Sequence, residues 1–365
     1  MIQSNKRICI VATSLDHGGA ERASAVQSII LHNLGFRVSI VTVKSGIAYN
    51  YKGEVFDLGV FKRERDSSLG RILRLLKLKR FLKDRKFDCI IDNRPRNQAY
   101  REFIINKFIY NIPTIFVIHS FESSLAFTKY TWLNRYLYHQ KKMVCVSKLG
   151  AEKFKKLYDL KSISTIYNAF NFEEIQFNAQ KEIPDSTPDK YILFYGRIHD
   201  KSKNLRLLIE AYFRSILKDK QIKLLLLGDG EDVEKVTCFI REKELDKHVL
   251  MKGFQENPFP YVKNAMFTVL TSRSEGFAMV LPESLCLGTP VISVNCDAGP
   301  KEIIKHGENG LLVENHNPEA LAEAFNAFID DEKLYNYCKS NSQKSIHRFS
   351  IDNISKDWNE LLCKV

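Results

Sequence analysis

Two glutamates, eight positions apart, are the residues of this sequence best suited to bind a substrate. Glu275 follows Ser274 in a Gly-Phe loop, and Glu283 follows Pro282, within the stretch SEGFAMVLPESLCLG at 274–288. A carboxylate in a loop can accept hydrogen bonds from hydroxyl groups, and one about a turn into a helix can accept the paired hydroxyls of a ribose. The backbone amides between them suit an anion, usually a phosphate. Together these groups fit a sugar joined to a nucleotide through phosphates.

The elements around these glutamates must bring them to one place. An apolar run at 265–271 predicts a buried strand before Glu275, and VISV at 291–294 predicts another. The segment after Pro282 is predicted to be a short helix. Strand, loop, helix and strand in this order are typical of a βαβ crossover in a parallel sheet. The alternative is that Glu275 caps the helix and Glu283 is a solvated acid favoured by the helix dipole.

Basic residues follow another predicted strand, YILFY at 191–195. Gly196 and Arg197 come directly after it, and Lys201 and Lys203 follow a polar turn. One arginine and one lysine beside such a loop would hold a diphosphate and stabilise the charge that grows on it as a sugar bond breaks. Solvated surface charges are the alternative.

The amino-terminal half begins with the same pattern. An apolar run at 6–13 predicts a strand, a polar loop carries Gly18 and Gly19, and helical spacing follows from 23 to 34. Paired glycines let the backbone approach a ligand. Their spacing is not that of a dinucleotide fingerprint, so a nicotinamide or flavin fold is disfavoured. A tight turn without a ligand is the alternative.

The same half offers an imidazole and two cations for binding. His119 follows a predicted strand at 114–118, where its ring could donate a hydrogen bond to a substrate. A lone histidine with a structural role is the alternative. Arg94 and Arg96 follow the predicted strand at 87–92 and could meet an anionic acceptor.

Length and composition predict two globular domains. The 365 residues are 44% hydrophobic and 27% charged, which excludes a disordered chain and is enough for two cores. The eight scattered cysteines lie mostly in apolar runs, so we expect reduced thiols in a cytosolic protein and no zinc site. The first apolar run is too short for a signal peptide, and no segment approaches the roughly 18 apolar residues of a spanning helix.

Much of the net charge of +12 lies in one segment. Residues 62–86 contain eleven basic and three acidic residues. Apolar residues of this segment fall near helical spacing: Leu69, Ile72, Leu73, Leu76 and Phe81. Such a basic amphipathic helix suits an anionic membrane surface, where each nearby Lys or Arg contributes about 1 kcal/mol. A helix that packs its apolar stripe on its own sheet is the alternative, and no motif for nucleic acid is found.

Several loops together resemble the signature of glycosyltransferase family 4, whose members transfer sugars from nucleotide-sugars. They are the acidic loop at 274–283, GGAER at 18–22, the Gly-Arg pair at 196–197, the Lys-Asn pair at 203–204 and GDGE at 228–231. The resemblance runs from about residue 8 to residue 350. It implies an α/β protein of the GT-B fold, with two Rossmann-like doubly wound domains facing across a cleft, and retention of anomeric configuration.

The resemblance also implies roles for individual residues. Catalytic residues would be four: Glu275, His119, Arg197 and Lys203. Donor-binding residues would be Gly18, Gly19, Gly196, Arg197, Lys203, Gly228, Gly253, Phe254, Glu275, Gly276, Phe277, Ala278, Val280, Leu281 and Glu283. Glu275 would contact the donor sugar without attacking it, and Glu283 would contact the ribose. No enzymic nucleophile is identified, so the acceptor would attack from the face that the diphosphate leaves.

The expected domains follow from the same reading. Residues 1–170 would form the acceptor domain, the polar segment 171–190 a linker, and residues 191–348 the donor domain. Residues 349–365 would be a helix that crosses back to the first domain.

The hypothesis is a transferase that moves a hexose or N-acetylhexosamine from a UDP-sugar to a hydroxyl of a lipid-linked glycan acceptor in surface polysaccharide assembly. The chain has no Asp-x-Asp, so no metal or other cofactor is expected, and Arg197, Lys203 and helix amides would do a metal's electrostatic work. The enzyme would be cytoplasmic and peripheral on the inner face of the membrane. An epimerase, which would need catalytic acids not found here, and a non-catalytic nucleotide-sugar-binding protein are the alternatives.

Overall fold

The structure is a computed structural model that describes residues 6–62, 67–184 and 187–364, with Ser68 described by its backbone alone. Twelve residues of the predicted segments lie outside these ranges: residues 1–5 of the expected acceptor domain, Arg63, Glu64, Arg65 and Asp66 of the basic segment, Asp185 and Ser186 of the expected linker, and Val365 of the expected C-terminal helix. The chain divides into two compact units. The first extends to Ala169 and resumes at Ile351, and the second runs from Phe170 to Ser350.

Thirteen strands are found in the described residues. They are β1 (Arg7–Ala12), β2 (Arg37–Thr42), β3 (Glu54–Asp57), β4 (Cys89–Asp92), β5 (Thr114–Ile118), β6 (Lys142–Cys145), β7 (Ser162–Thr165), β8 (Tyr191–Tyr195), β9 (Lys223–Leu227), β10 (Val249–Gly253), β11 (Thr268–Leu270), β12 (Val291–Val294) and β13 (Gly310–Val313). Each unit contains one sheet. The order is β3-β2-β1-β4-β5-β6-β7 in the first and β10-β9-β8-β11-β12-β13 in the second, with every strand pair parallel.

Helices follow most strands, as a parallel sheet requires. They are α1 (Gly19–Asn33), α2 (Ser68–Arg85), α3 (Ala99–Ile104), α4 (Ser123–Ala126), α5 (Thr131–Tyr138), α6 (Lys148–Tyr158), α7 (Phe172–Asn178), α8 (Asp200–Lys203), α9 (Leu205–Arg214), α10 (Val233–Glu242), α11 (Phe259–Asn264), α12 (Val280–Cys286), α13 (Pro300–Ile303), α14 (Pro318–Asp330), α15 (Glu332–Ser345) and α16 (Ile351–Cys363). A π-helical turn, Ile105–Ile109, continues α3, and 3₁₀ turns lie at Gly59–Phe61 and His347–Phe349. In the described residues, no helix is both long and apolar enough to cross a bilayer.

Both sheets are buried on their two faces, which explains their continuous apolar runs. β9 (KLLLL) and β8 (YILFY) are buried almost throughout. The core of the first unit contains an aromatic cluster in which the Phe127 ring lies 5.7 Å from Tyr138 and 5.1 Å from Phe154. Six of the eight cysteines are buried, as predicted. Burial raises the pKa of the Cys89 thiol to about 12.

The predicted α/β architecture with two Rossmann-like sheets is confirmed, but several elements differ. The second sheet has six strands in the described residues. The segment 171–190, expected to be a linker, contains helix α7, which packs on α12 in the second unit. Helix α12 begins at Val280, two residues before Pro282, because the apolar residues ahead of the proline also fit the buried face of the helix. Strand β3 and helix α15 were not predicted.

Helix α2 of the basic segment buries only part of its apolar surface. Leu78 and Leu82 in its second half are buried in the core of the first unit, and the half-buried Phe81 ring stacks on Phe56 at 4.3 Å. Four apolar residues in its first half are exposed: Leu69, Ile72, Leu73 and Leu76. Packing on the core therefore accounts for the second half of α2 and for Leu75, and leaves these four side chains exposed.

Candidate active site

The second sheet brings two predicted loops together. Strand β8 lies between β9 and β11, and Thr268 of β11 pairs with Leu193 of β8. The strand order reverses at this point. In open parallel sheets, ligands bind outside the carboxyl ends of the strands where the order reverses, because adjacent loops diverge there and leave a crevice. The loops after β8 and β11 carry the predicted basic and acidic residues, so these lie where this architecture binds ligands.

Lys203 and Glu275 are in direct contact in this crevice. Nζ of Lys203, at the end of α8, lies 2.6 Å from Oε1 of Glu275, in the loop after β11, and both side chains are mostly buried. The pair joins residues 72 positions apart in the chain. A bound diphosphate would compete for the ammonium group, and a sugar hydroxyl would compete for the carboxylate.

The backbone around Lys203 is held by residues that the sequence analysis did not single out. Oγ1 of Thr271 donates a hydrogen bond to the carbonyl of Lys203 at 2.8 Å. The amide of Arg273 donates to the carbonyl of Ser202 at 2.9 Å, and its Nη2 donates to Oδ1 of Asn204 at 2.9 Å. Both donors directly follow β11, which is the signal that could have identified them. The loop that supplies Glu275 thus also fixes the position of Lys203.

Glu283 lies in the first turn of α12 and is almost fully buried. The hydroxyl of Tyr195, at the end of β8, donates to the carbonyl of Val280 at 2.7 Å and lies 3.2 Å from Oε2 of Glu283. Burial excludes the alternative that Glu283 is a solvated acid in the first turn of the helix. Tyr195 is a further residue of this site that sequence reasoning missed.

The loop between the two glutamates can reach a ligand mainly through its backbone. The side chains of Phe277, Ala278 and Leu281 are buried. The Phe277 ring packs between Phe170 at 6.2 Å and Phe349 at 5.1 Å, inside the second unit. Their predicted contribution to donor binding is therefore restricted to N–H and C=O groups.

Several amides of this loop have no partner within the described chain. The N–H groups of Gly276, Ala278 and Val280 make no hydrogen bond to any described residue. Ala278 has a positive φ of 61°, which few residues other than glycine adopt. Successive amides around a left-handed residue form a concave cluster that suits an anion.

Gly228 fixes the neighbouring loop by its lack of a side chain. Its φ is +141°, and a Cβ atom built on it would lie 1.8 Å from the carbonyl oxygen of Gly196. Ile198 donates to the carbonyl of Asp229 at 2.9 Å, so the loops after β8 and β9 are in backbone contact. Gly228 itself donates to the carbonyl of Gly253 at 2.8 Å, which brings the end of β10 to the same edge.

The outer residues of the predicted site are accessible. Arg197 is exposed, and its side chain makes no ion pair or hydrogen bond with any described residue. Phe254, directly after β10, exposes its ring. Across the described ranges, no group of three or more His, Cys, Asp or Glu residues has the arrangement of a metal site.

His119 lies in the first unit, at the end of β5, and is held by a buried amide chain. Its Nε2 lies 2.9 Å from Oδ1 of Asn93, whose Nδ2 donates to Oε1 of Gln27 at 2.8 Å. Burial, followed by the positive charge of Arg96, lowers the pKa of His119 to about 3, so the ring is neutral. Nε2 then carries the proton, and Nδ1, which is buried and has no hydrogen-bond partner among the described residues, is an acceptor. A hydrogen-bond donor was expected at His119, whereas the free ring nitrogen of this tautomer, Nδ1, accepts.

The glycine loop of the first unit begins helix α1. Gly18 precedes the helix with a φ of +149°, and its amide donates to the hydroxyl of Tyr49 at 3.2 Å. A Cβ atom on Gly18 would lie 2.2 Å from Oε2 of Glu21, which folds back over the helix start. Gly19 is the first residue of α1.

The suggestion that Arg94 and Arg96 meet an acceptor is wrong, because both are buried. Arg94 donates through Nε and Nη2 to both carboxylate oxygens of Asp92, at 2.9 and 2.6 Å. Arg96 donates to the backbone carbonyls of Arg94 and Val117, at 3.0 and 2.7 Å. The number of arginines in the loop suggested exposed charge, but it could not show that the carboxylate of Asp92 is buried and pairs with Arg94.

Two protein-family models match the chain. The model described as "Glycosyltransferase Family 4" matches residues 17–174, and the model described as "Glycosyl transferases group 1" matches residues 176–345. The first match covers most of the first unit, and the second covers most of the second unit.

The chain is similar to proteins of known activity or structure. It is 28% identical to the N-acetylgalactosamine-N,N'-diacetylbacillosaminyl-diphospho-undecaprenol 4-alpha-N-acetylgalactosaminyltransferase of Campylobacter jejuni, over 96% of this chain and 98% of that protein. HepE of Anabaena, solved with UDP and glucose, superposes with a TM-score of 0.78 at 20% identity, over 99% of this chain and 100% of that one. TarM of S. aureus, solved with fondaparinux, alpha-GlcNAc-glycerol and UDP, superposes with a TM-score of 0.77 at 16% identity, over 98% and 99%. At such identities the two superpositions establish a common fold.

Proposed function

We propose that this protein, which belongs to the glycosyltransferases of the GT-B fold and family 4 type, transfers a hexose or N-acetylhexosamine from a UDP-sugar to a hydroxyl of a lipid-linked glycan acceptor. The observation that carries the proposal is the contact between Lys203 and Glu275 at the reversal point of the second sheet. The ammonium group of Lys203 and the amides without a described partner suit the diphosphate of a sugar diphosphate, and the carboxylate of Glu275 suits the hydroxyls of its sugar.

The cationic end of the site would hold the diphosphate. Lys203 is fixed through its backbone, Arg197 is exposed, and the amides of Gly276, Ala278 and Val280 point to no described partner. When the bond between the sugar and the diphosphate breaks, negative charge grows on the leaving phosphate oxygens. Cations and backbone amides that already contact the bound diphosphate stabilise this charge as it grows, and such stabilisation is the largest contribution in many such reactions. We propose that these groups replace a metal.

The acidic end would orient the sugar. Once Lys203 turns toward phosphate, the carboxylate of Glu275 is released to accept hydrogen bonds from sugar hydroxyls. Glu275 does not act as a nucleophile in this proposal. The acceptor oxygen attacks the anomeric carbon from the face that the diphosphate leaves, its proton passes to a leaving phosphate oxygen, and the configuration is retained.

Two further residues would contact the substrates. Glu283, oriented beside Tyr195, would accept the ribose hydroxyls of the donor. His119 would accept a hydrogen bond from a substrate hydroxyl through Nδ1, which has no partner in the described part of the chain. Both are held by neighbours within their own unit, so little ordering is needed when substrate binds.

The choice of donor and acceptor rests on relatives. The Campylobacter jejuni protein, which matches this chain over nearly its whole length, is named for an acceptor carried on diphospho-undecaprenol. The Anabaena and S. aureus structures contain UDP. We carry both features over as a proposal for this chain.

Action on a lipid-linked acceptor would place the enzyme at a membrane surface. The exposed apolar residues of α2, among them Leu69, Leu73 and Leu76, lie on a helix with many basic side chains. We propose that this first half of α2 enters the head-group region of an anionic bilayer while Lys79 and Lys83 contact lipid phosphates.

A donor panel tests the proposal. Purified protein would be incubated with UDP-sugars and an undecaprenyl-diphosphate glycan, and UDP release and the anomeric configuration of the product would be measured by NMR. We expect transfer with retention from one donor, and its loss in E275Q, which keeps the shape of Glu275 and removes its charge. Donor binding without turnover would support the non-catalytic alternative, and epimerised donor without acceptor would support the epimerase; either result would exclude the transferase.

A further inference from the structure

Exposed aromatic side chains of the first unit occur on α3, on the π-helical turn that continues it and on α5. They are Tyr100 and Phe103 of α3, Phe108 of the π-helical turn, and Trp132 and Tyr136 of α5. We call these five residues the aromatic patch. Single exposed rings are common on protein surfaces. A cluster of exposed rings, which would otherwise be buried in a core, marks an interaction surface.

Ring and cation contacts connect the aromatic patch across two elements. The rings of Phe103 and Phe108 lie 6.3 Å apart, edge to face. Nζ of Lys107 lies 4.2 Å from the centre of the Tyr136 ring, which joins the π-helical turn to α5. Trp132 lies one turn before Tyr136, on the same face of α5. The patch is therefore one surface on two neighbouring elements.

Packing of α5 does not require these rings. The opposite face of α5 already buries Leu133, Leu137 and Tyr138 in the core of the first unit. Tyr138 also lies 3.1 Å from Glu102 and 3.3 Å from Asn106, so the junction with α3 is made by a different side chain. The core contacts of α5 are therefore made without Trp132 and Tyr136, which are 68% and 60% exposed.

The charge around the aromatic patch has one sign. Segments 99–109 and 127–141 contain five basic residues and one acidic residue, Glu102. Glu102 is buried and lies 2.9 Å from Nε of Arg101, so it adds no negative charge to the surface. Nζ of Lys107 lies 4.2 Å from the centre of the Tyr136 ring in the patch. Nζ of Lys129 lies 5.1 Å from the centre of the neighbouring Tyr130 ring. The surface is aromatic and cationic, with no exposed carboxylate in these segments.

We propose that the aromatic patch is a second membrane-contacting surface, whose rings lie at the head-group level of an anionic bilayer. Tyrosine and tryptophan prefer that level because one end of each ring is apolar and the other is polar, and basic side chains beside them contact lipid phosphates. Helix α2, which carries the other proposed membrane contact, packs against the π-helical turn of the patch. This inference rests on the proposed action at a lipid-linked acceptor and adds a surface that fixes the orientation of the first unit.

The chain contains a natural probe for the aromatic patch. Trp132 is 68% exposed, whereas the other tryptophan, Trp358 of α16, is 4% exposed. Intrinsic fluorescence of the full chain would be recorded with phosphatidylglycerol vesicles, with and without brominated acyl chains. We expect a blue shift and quenching by the brominated lipid. W132F, which retains only the buried Trp358, should lose both signals.

A matched set of variants measures the contribution of the rings. Y100A/F108A/Y136A should bind the same vesicles more weakly than the wild type, by about fivefold or more, because the variant removes the apolar surface of three rings from the interface. Y337A is the control, since Tyr337 of α15 is similarly exposed, at 56%, but lies in the second unit; it should bind as the wild type does. Equal loss in both variants would overturn the assignment.

Other outcomes separate this inference from the proposed function. If vesicles sediment the protein while Trp132 stays unquenched, the patch is not at the membrane, and loss of binding in K79E/K83E would assign docking to α2 alone. A blue shift that depends on protein concentration without lipid would indicate a second copy as the partner and overturn the proposal. Transfer to a soluble acceptor analogue should be unchanged in the triple variant, so failure of transfer in the wild type would refute the proposed function and not the patch.

Discussion

Nζ of Lys203 and Oε1 of Glu275 are 2.6 Å apart, so two side chains assigned to different ends of one substrate are partners in the free protein. The pair keeps each charged group satisfied in a mostly buried position, where an unpaired charge would be costly. It also means that substrate binding exchanges one ion pair for two new contacts. The net affinity for a donor is therefore a difference between interactions of similar strength. The pair raises the reaction rate only if the contacts of Lys203 and Glu275 with the substrate strengthen as negative charge moves to the phosphate.

Replacing Lys203 should reduce catalysis more than binding. K203A removes a cation from the leaving diphosphate, and loss of one such group typically lowers kcat about 100- to 1,000-fold. Initial rates of UDP release over a range of donor concentrations would give kcat and KM separately.

The charge-swapped variant K203E/E275K is the control for structure. It can restore an ion pair but places an anion beside the phosphates. We expect a stable protein without transfer. Recovery of transfer by the swap would show that the pair is structural and that neither residue meets substrate.

Thr271 should act through the position of Lys203. T271V removes the hydroxyl that donates to the Lys203 carbonyl and leaves a buried acceptor unsatisfied, a loss of about 1–3 kcal/mol. We expect a lower kcat, with KM less affected, because the side chain does not meet substrate itself. T271S keeps the donor and should recover most of the rate. A T271S variant as slow as T271V would argue that the methyl group and not the hydrogen bond matters.

Strands were predictable from sequence because buried parallel strands are continuous apolar runs. β5, β8 and β12 begin and end where the sequence predicted. The acidic and basic loops were predictable because they follow those strands. Thr271 and Tyr195 were not, since each acts on a residue more than 60 positions away and a polar residue near a strand end has no distinctive local pattern.

The inward rotation of Arg94 was also beyond sequence reasoning. It depends on Asp92, two positions earlier, and on Glu102, both fully buried. A strand followed by two arginines predicts exposed charge unless the depth of the partner carboxylates is known. The sequence shows which charged residues a loop contains. Whether their side chains are buried depends on how elements that are distant in the chain pack together.

Gly228 should be essential to the fold of the second unit. G228A places a Cβ atom 1.8 Å from the Gly196 carbonyl at a φ of +141°, and overpacking with backbone strain costs roughly 2–5 kcal/mol. Calorimetry should show a Tm lower by about 5–10 °C. G288A is the control, because Gly288 also has positive φ but no atom lies within 4 Å of its added Cβ. A similar loss in both variants would mean that strain alone, and not the contact with Gly196, sets the cost.

Transfer should not depend on a divalent metal. Arg197, Lys203 and the loop amides are proposed to stabilise the leaving diphosphate, so EDTA should leave the rate of purified protein within about twofold of the untreated rate. The rate would be measured with and without added Mg²⁺ after chelation. Loss of turnover on chelation, with recovery on Mg²⁺, would refute the metal-free account of the site.

His119 should stay neutral far below the ordinary pKa of histidine. Burial and then the charge of Arg96 lower its pKa to about 3, whereas the unfolded chain has the ordinary value of about 6.5. Between these values the unfolded chain binds one more proton, so stability contributed by His119 is present above pH 6.5 and is lost as pH falls, by up to about 1.4 kcal/mol per pH unit.

In NMR spectra of the nine histidines, the resonance that disappears in H119Q should not shift between pH 8 and 5. If that resonance titrates near pH 6.5, the ring is protonated in the fold and cannot accept a substrate hydroxyl at acidic pH. If it does not, any fall in transfer between pH 8 and 5 must come from groups other than His119, since Nδ1 remains an acceptor throughout.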